Sequence, residues 1–214
     1  MDTVADKLIF FIMLLIAITM HEFGHAFAAA KLGDPLPRLQ GRVTLNPLAH
    51  ADPLGTFALP LVMIFSGVPI LFGWGKPVQV SLPNPKTRMR DDLVSTAAGP
   101  LTNLVIAMIS AAVLAAGLKY GNAAVVKVAY ISLLINCVLM LFNLIPIPPL
   151  DGSHFLRYAV NMSQETYAQL SRYGMLALLL ALFFTPAGAY LGAAVEGLSN
   201  LLLSGASFVL SPIL

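Results

Sequence analysis

The chain has 214 residues, of which 58% are hydrophobic and 10% charged, and its formal net charge is +2. A soluble domain carries about 25% charged residues. This chain therefore lacks the polar surface to coat a water-soluble globule, and a nucleic-acid partner that depends on a basic face is excluded. The single cysteine, Cys137, excludes an intramolecular disulfide and a Cys-rich zinc site. Long apolar runs without strand alternation exclude a β-barrel. What remains is an all-α polytopic membrane protein embedded in a lipid bilayer.

A spanning helix needs about 20 mainly apolar residues. The first run extends from about Leu8 to Leu32. No basic stretch precedes it and polar residues interrupt its second half, so it is not read as a cleaved signal peptide. The second, Leu54–Trp74, is broken at Gly67-Val68-Pro69. The third spans about Leu93–Leu118 and the fourth Ala123–Ile145, which Pro146, Pro148 and Pro149 stop because proline has no N–H and clashes with the preceding turn. Two more, Glu165–Phe184 and Ala187–Val209, are parted near Pro186 and Gly188. The sequence thus predicts about five spanning helices plus one re-entrant segment. It divides into a membrane-embedded core over residues 1–152 and C-terminal helices over 153–214 that could serve as a gate.

Charge sets the orientation, because cytoplasmic loops are enriched in Lys and Arg. Lys31, Arg38 and Arg42 follow the first run, and Lys76, Lys86, Arg88 and Arg90 follow the second. Arg157 and Arg172 follow the fourth, whereas only Lys119 and Lys127 lie between the third and fourth. Asp2 and Asp6 oppose Lys7 at the N-terminus, which is therefore expected outside. Both ends of Leu54–Trp74 then face the cytoplasm, so this segment is expected to dip in and return. Irregular backbone at that depth requires cover from protein or a wet cavity.

The chemistry is concentrated in His21-Glu22-Phe23-Gly24-His25. Spacing i, i+4 puts both imidazoles on one helix face. That is the arrangement of two zinc ligands with a glutamate beside them as general base. A carboxylate within an apolar helix costs a few kcal/mol, which makes Glu22 a functional residue by default. Catalytic zinc takes a third protein ligand. Asp151, followed by Gly152 after the proline-rich end of the fourth helix, is the best candidate, and His50, Asp52 and His154 are its rivals.

With these residues in place, the chain resembles the site-2 protease family of intramembrane zinc metalloproteases. The family's His-Glu-x-x-His stands as His21, Glu22 and His25. Its Asn-x-x-Pro-x-x-x-x-Asp-Gly stands as Asn143, Pro146, Asp151 and Gly152. Ala98-Gly99-Pro100-Leu101-Thr102-Asn103, expected to open the third helix, also resembles the family. So do Gly41–Pro47 and Phe72–Pro77, which look like the compact bacterial branch without PDZ or CBS domains. The resemblance covers about Ile16 to Gly152. It implies one Zn2+ per chain held by His21, His25 and Asp151, with Glu22 as base. It also implies a substrate that is a transmembrane protein or peptide, cut within or near its membrane segment as in regulated intramembrane proteolysis. The implied setting is a bacterial cytoplasmic membrane, with the active site in its cytoplasmic half. The oligomeric state is open.

Asn143 is a candidate donor to a developing oxyanion or to substrate backbone, or else an interhelical hydrogen-bonding group. Asn103 is a second such candidate, with packing as its other reading. Alternation of Val43 and Leu45 against Thr44 predicts a β-like membrane-associated loop over Arg38–Leu45 whose edge could hold an unwound substrate. Glu196 is expected to make an interhelical polar contact. Two other functions fit intramembrane His and Glu: an ion transporter or channel, and a catalytically silent scaffold. No paired broken helices in an inverted repeat favour the transporter, and the intact His21, Glu22, His25 and Asp151 oppose the scaffold.

Overall fold

The computed structural model describes residues 3–66 and 73–210. It begins with α1 (Val4–Lys31), whose N-terminus is closed by a capping box between Thr3 and Asp6. Two single-turn helices follow, α2 (Leu36–Leu39) and α3 (Pro47–His50). A π-helical turn, Pro53–Ala58, leads into α4 (Leu59–Phe65). The long α5 (Arg88–Lys119) and α6 (Ala123–Asn143) come next. The short α7 (Gly152–Ala159) precedes α8 (Gln164–Phe184) and α9 (Ala187–Leu210). Asn122 caps α6 and Ser163 caps α8 through their side-chain oxygens.

Among the described residues, α1, α5, α6, α8 and α9 are long and apolar enough to cross a membrane. The five spans expected from the sequence are therefore present, with ends moved by a few residues. The largest shift is in α5, which begins at Arg88, so the Ala98–Asn103 block lies inside the helix and not at its start.

Helices α1 and α6 run in the same direction, with α5 antiparallel between them. Lys127 near the start of α6 pairs with Asp6 near the start of α1. At the other end, His25 reaches the Ser95 carbonyl near the start of α5 (2.8 Å). One core joins α5, α6 and α9 through Ala107, Ala111, Leu114, Ala129, Leu133, Cys137 and Val195. A second joins α1 to α6 through Leu14, Ala17, Ile18 and Ile135. The alanines matter because lipid offers no hydrophobic drive between helices, and small side chains allow the close packing that replaces it. At the α1–α5 crossing the backbones are closer still. A Cβ on Gly24 would lie 2.5 Å from Thr102 Oγ1 and 2.8 Å from the Ala98 carbonyl oxygen.

The expected strand over Arg38–Leu45 does not form. Arg38 and Leu39 belong to α2, and the isolated bridge Ala51–Gly75 is the β-pairing found among the described residues. Two physical reasons account for this. Pro35 and Pro37 favour a helical first turn, and the Arg42 side chain turns inward. Its guanidinium donates to the carbonyls of Ala49 and Lys76, which gathers the loop against the chain instead of leaving a free edge.

The ends of the second apolar run lie side by side. Trp74 donates its backbone N–H to Gly55 (3.3 Å), Thr56 Oγ1 donates to the Trp74 carbonyl (2.7 Å), and Ala51 pairs with Gly75. The far end of α4 reaches the start of α1, where Lys7 Nζ donates to the Ile64 carbonyl (3.3 Å). The break expected at Gly67-Val68-Pro69 lies outside the described residues.

From Gly75 the chain runs along α1 and is fastened there by Asp34, which is only 2% exposed. The Asp34 carboxylate accepts from Ser81 N (2.6 Å), Ser81 Oγ (2.5 Å), Leu82 N (3.0 Å) and Leu36 N (2.9 Å). The clasp holds Leu82 at φ +44°, a region uncommon for a branched residue. Burial alone would raise the Asp34 pKa, but the donors from Ser81, Leu82 and Leu36 outweigh it and hold the carboxyl below its ordinary value.

A carboxyl with a lowered folded pKa contributes stability that is complete above its unfolded value, about 3.9, and is lost as pH falls through the folded one. Replacing Asp34 by Ala is expected to cost about 2–4 kcal/mol, since buried backbone donors lose a charged acceptor. Thermal unfolding in detergent should show Asp34→Asn well below wild type at pH 7. The gap should close as pH falls below about 4.

Candidate metal centre

His21 and His25 stand one turn apart on α1, and Asp151 reaches them from the turn between α6 and α7. His21 Nε2 and His25 Nε2 are 3.0 Å apart. Asp151 Oδ2 lies 3.2 Å from the first and 3.4 Å from the second. Donors around a tetrahedral zinc with bonds of about 2.05 Å are separated by about 3.3 Å, so the three spacings fit such an ion.

The protons support the same conclusion. His21 Nδ1 lies 2.6 Å from Asn103 Oδ1, and His25 Nδ1 lies 2.8 Å from the Ser95 carbonyl oxygen. Asn103 is oriented by its own bonds: its Nδ2 donates to the Ala17 carbonyl (3.3 Å) and to Asn136 Oδ1 (2.9 Å), so its Oδ1 faces His21. Asn136 is fixed in turn by donating from Nδ2 to the Ser132 carbonyl (2.8 Å). Both Nδ1 atoms therefore donate, and in neutral imidazoles both Nε2 atoms are bare lone pairs. Asp151 Oδ2 is buried with no hydrogen-bond donor. Three unprotonated donors converging in a buried space repel one another unless a cation lies between them. Among the described residues, His21, His25 and Asp151 are the group that could hold one.

The local sequence makes this convergence possible. A Cβ on Gly99 would collide with the His25 ring and lie 2.8 Å from His21 Cε1, so the absence of a side chain on α5 makes room for both imidazoles. A side chain at Gly152 would run into the Leu144 carbonyl, so glycine lets α7 start directly beneath α6. Glu22, next to His21, accepts a hydrogen bond from the Val78 backbone N–H at Oε2 (3.0 Å). The segment after Gly75 thus lies over the glutamate. The buried Arg42 guanidinium contributes positive charge near it.

The rival ligands have other partners. His50 Nε2 donates to the Thr44 carbonyl (2.8 Å), and burial pushes its pKa down. Asp52 caps the π-helical turn by accepting from Leu54 N (3.0 Å) and Gly55 N (2.7 Å). His154 Nδ1 pairs with Asp92 Oδ2 at 3.1 Å. Asn143, half-buried, donates from Nδ2 to Leu139 in its own helix (2.9 Å). Glu196 lies exposed on α9. Sequence reasoning missed Asn136, although a lone amide in the apolar run Leu133–Leu141 was a signal. It also missed Ser95, whose part is played by a backbone carbonyl that no side-chain pattern reports.

Comparison with known proteins points the same way. Residues 119–182, which hold all of α6, the Asp151 turn, α7 and most of α8, match peptidase family M50. YwhC of Bacillus subtilis (strain 168), named as a candidate zinc metalloprotease, is 37% identical over 188 residues, covering 84% of this chain and 81% of its own length. Rip2 of Mycolicibacterium smegmatis, also named as a candidate zinc metalloprotease, is 34% identical over 176 residues, 81% of this chain. Rip2 of Mycobacterium tuberculosis (strain H37Rv), named likewise, is 32% identical over 174 residues, 80% of this chain. The chain spans 65% of the length of each Rip2 protein. No solved structure matches the chain.

Gly99→Ala is expected to push the imidazoles apart and lower bound zinc by at least about tenfold. Zinc analysis of the purified variant, with helicity checked by circular dichroism, tests this. Full zinc retention would show that the rings can yield without losing the site.

Proposed function

The chain belongs to peptidase family M50, the site-2 proteases, and is a zinc metalloprotease of that type; we propose that its zinc is held by His21, His25 and Asp151 and that Glu22 is the general base. The observation that carries this reading is the convergence of three bare donor atoms beside a glutamate in an apolar helix. We propose one ion per chain, in keeping with the one such cluster among the described residues. A zinc ion there supplies Lewis acidity that polarises a peptide carbonyl and makes water a better nucleophile.

The chain's own residues do the rest. Glu22 takes the proton of the attacking water and delivers it to the leaving amine. The Val78 N–H holds Glu22 Oε2, which fixes the rotamer of the carboxylate. Asn103 acts through His21 by holding the Nδ1 proton, and not as a donor to substrate. Asn143, at the end of α6 before the Asp151 turn, is assigned to substrate backbone or the developing oxyanion.

The substrate is the membrane-spanning segment of another protein, cut as in regulated intramembrane proteolysis. The expected membrane is the bacterial cytoplasmic one, with the N-terminus outside and the site in the cytoplasmic half, where Lys and Arg accumulate. We read Leu54–Trp74 as re-entrant. The pairing of Ala51 with Gly75 and the approach of Ile64 to Lys7 support a segment that rises along α1 and returns. Its return keeps α1 and α6 parallel, as the shared site requires. Residues 1–152 form the catalytic core. Of the C-terminal helices, α9 packs into the α5–α6 core, whereas α8 is mostly exposed and is tied to α7 by Tyr167 and Ser153 (2.9 Å). We assign lateral gating to α8.

Glu22→Gln should keep wild-type zinc while cleavage of a model transmembrane substrate in detergent falls about 10²–10⁴-fold. Equal cleavage in both proteins, or an active wild type without zinc, would overturn the assignment.

A further inference from the structure

Asp92 lies outside the sequence motifs, yet it is 5% exposed and carries two charge-assisted hydrogen bonds. Its Oδ2 accepts from Tyr158 OH (2.8 Å) and pairs with His154 Nδ1 (3.1 Å). Both partners belong to α7, the helix that begins immediately after Asp151. The same turn of α5 also holds the other side of the metal centre. Ser95 donates from Oγ to the Asp92 carbonyl (3.0 Å), and the Ser95 carbonyl fixes the His25 ring.

The rest of α7 is packed around this anchor. The Arg157 guanidinium lies over the rings of Tyr158 and Tyr167, and His154 meets Tyr167 edge-on. Ser153, 1% exposed, donates to the Leu150 carbonyl (2.5 Å) and bonds to Tyr167 OH. Burial first, then the bond to Asp92, pushes the Tyr158 hydroxyl up to about 12. It therefore remains a donor at any physiological pH.

We propose that Asp92 is a positioning residue of the metal centre: through His154 and Tyr158 it fixes α7, and through α7 the reach of Asp151 toward His21 and His25. The proposal rests on the zinc reading above. The geometry explains why such an anchor is needed. Asp151 comes from a turn, whereas its two co-ligands sit on a rigid helix, and a ligand set must be held within about 0.5 Å to work. His25 and Asp151 take their positions from a single turn of α5, so the distance between them is set by one rigid element. His154, a rival ligand by sequence, is assigned here to the anchor.

The test uses the full chain in detergent micelles, with zinc affinity measured by competition against a chromophoric chelator and coordination read from the absorption spectrum of the Co2+-loaded protein. Asp92→Ala is expected to weaken zinc about 10- to 100-fold, the usual effect of removing an outer partner of a ligand, and to alter the Co2+ bands. Asp92→Asn, which keeps an acceptor for Tyr158, should fall between it and wild type. A folded Asp92→Ala with wild-type affinity and spectrum would overturn the proposal. Where that variant does not fold, Tyr158→Phe carries the test: a loss of about 2- to 10-fold supports the anchor, and no loss overturns it. Asp151→Ala separates the two readings. If it keeps wild-type zinc, the ligand assignment itself falls; if it loses zinc while Asp92→Ala does not, only the anchor falls.

Discussion

His21 and His25 can turn bare Nε2 atoms toward each other only because Asn103 Oδ1 and the Ser95 carbonyl hold both ring protons on the opposite side. In a bilayer protein this constraint reaches far. A buried donor or acceptor without a partner costs several kcal/mol where water cannot reach it. Each group that fixes an imidazole must therefore be satisfied in turn. The chain from His21 through Asn103 and Asn136 to Ser132 meets that demand across three helices. It also sets how deeply α1, α5 and α6 sit relative to one another, because an amide network tolerates little sliding.

The α5 helix is consequently the element to which the others are referenced. It carries Asn103 and Ser95 toward α1, Gly99 beneath the imidazoles, Asp92 toward α7, and alanines toward α6 and α9. Its first turns, which carry Arg88, Arg90, Asp91 and Asp92, extend past the apolar part of the helix, and Asp92 on that extension meets α7. The close crossing of α1 and α5 needs two glycines that face different obstacles. Gly24 avoids Thr102 and the Ala98 carbonyl, and Gly99 avoids the two rings. The pair permits backbone contact at the depth where the histidines project, so packing and ligand placement share one cause.

A second constraint comes from the loops. Arg42 is buried, and its guanidinium donates to carbonyls from two separate segments. Asp34 does the converse and collects donors from residues 36, 81 and 82. Together they bind irregular backbone to the end of α1, which is how a loop beside a membrane satisfies polar groups that a sheet would otherwise pair. The Val78 amide reaches Glu22 as a result of that fastening.

The sequence by itself determined the all-helical membrane class, the five long apolar helices and the pattern that places two histidines and a glutamate on one helix turn. Those features are local: hydrophobic length, proline stops and i, i+4 spacing require no knowledge of neighbours. It also singled out Asp151 among four candidates, on proline and glycine punctuation. Only the tertiary structure decided how the rivals are used. His50, Asp52 and His154 each offer a ligand atom in the sequence, and each is committed elsewhere: His50 and Asp52 to backbone groups of their own loop, and His154 to Asp92 far along the chain. The loop over Arg38–Leu45 has strand-like alternation, yet Pro35, Pro37 and the inward Arg42 hold it in another form. Asn103, by sequence a candidate for substrate or for packing, hydrogen-bonds the His21 ring, because the depth at which α5 crosses α1 puts its amide against His21. That depth is set jointly by the packing of small residues between helices and by the amide network that joins them, and periodicity in a single segment encodes neither.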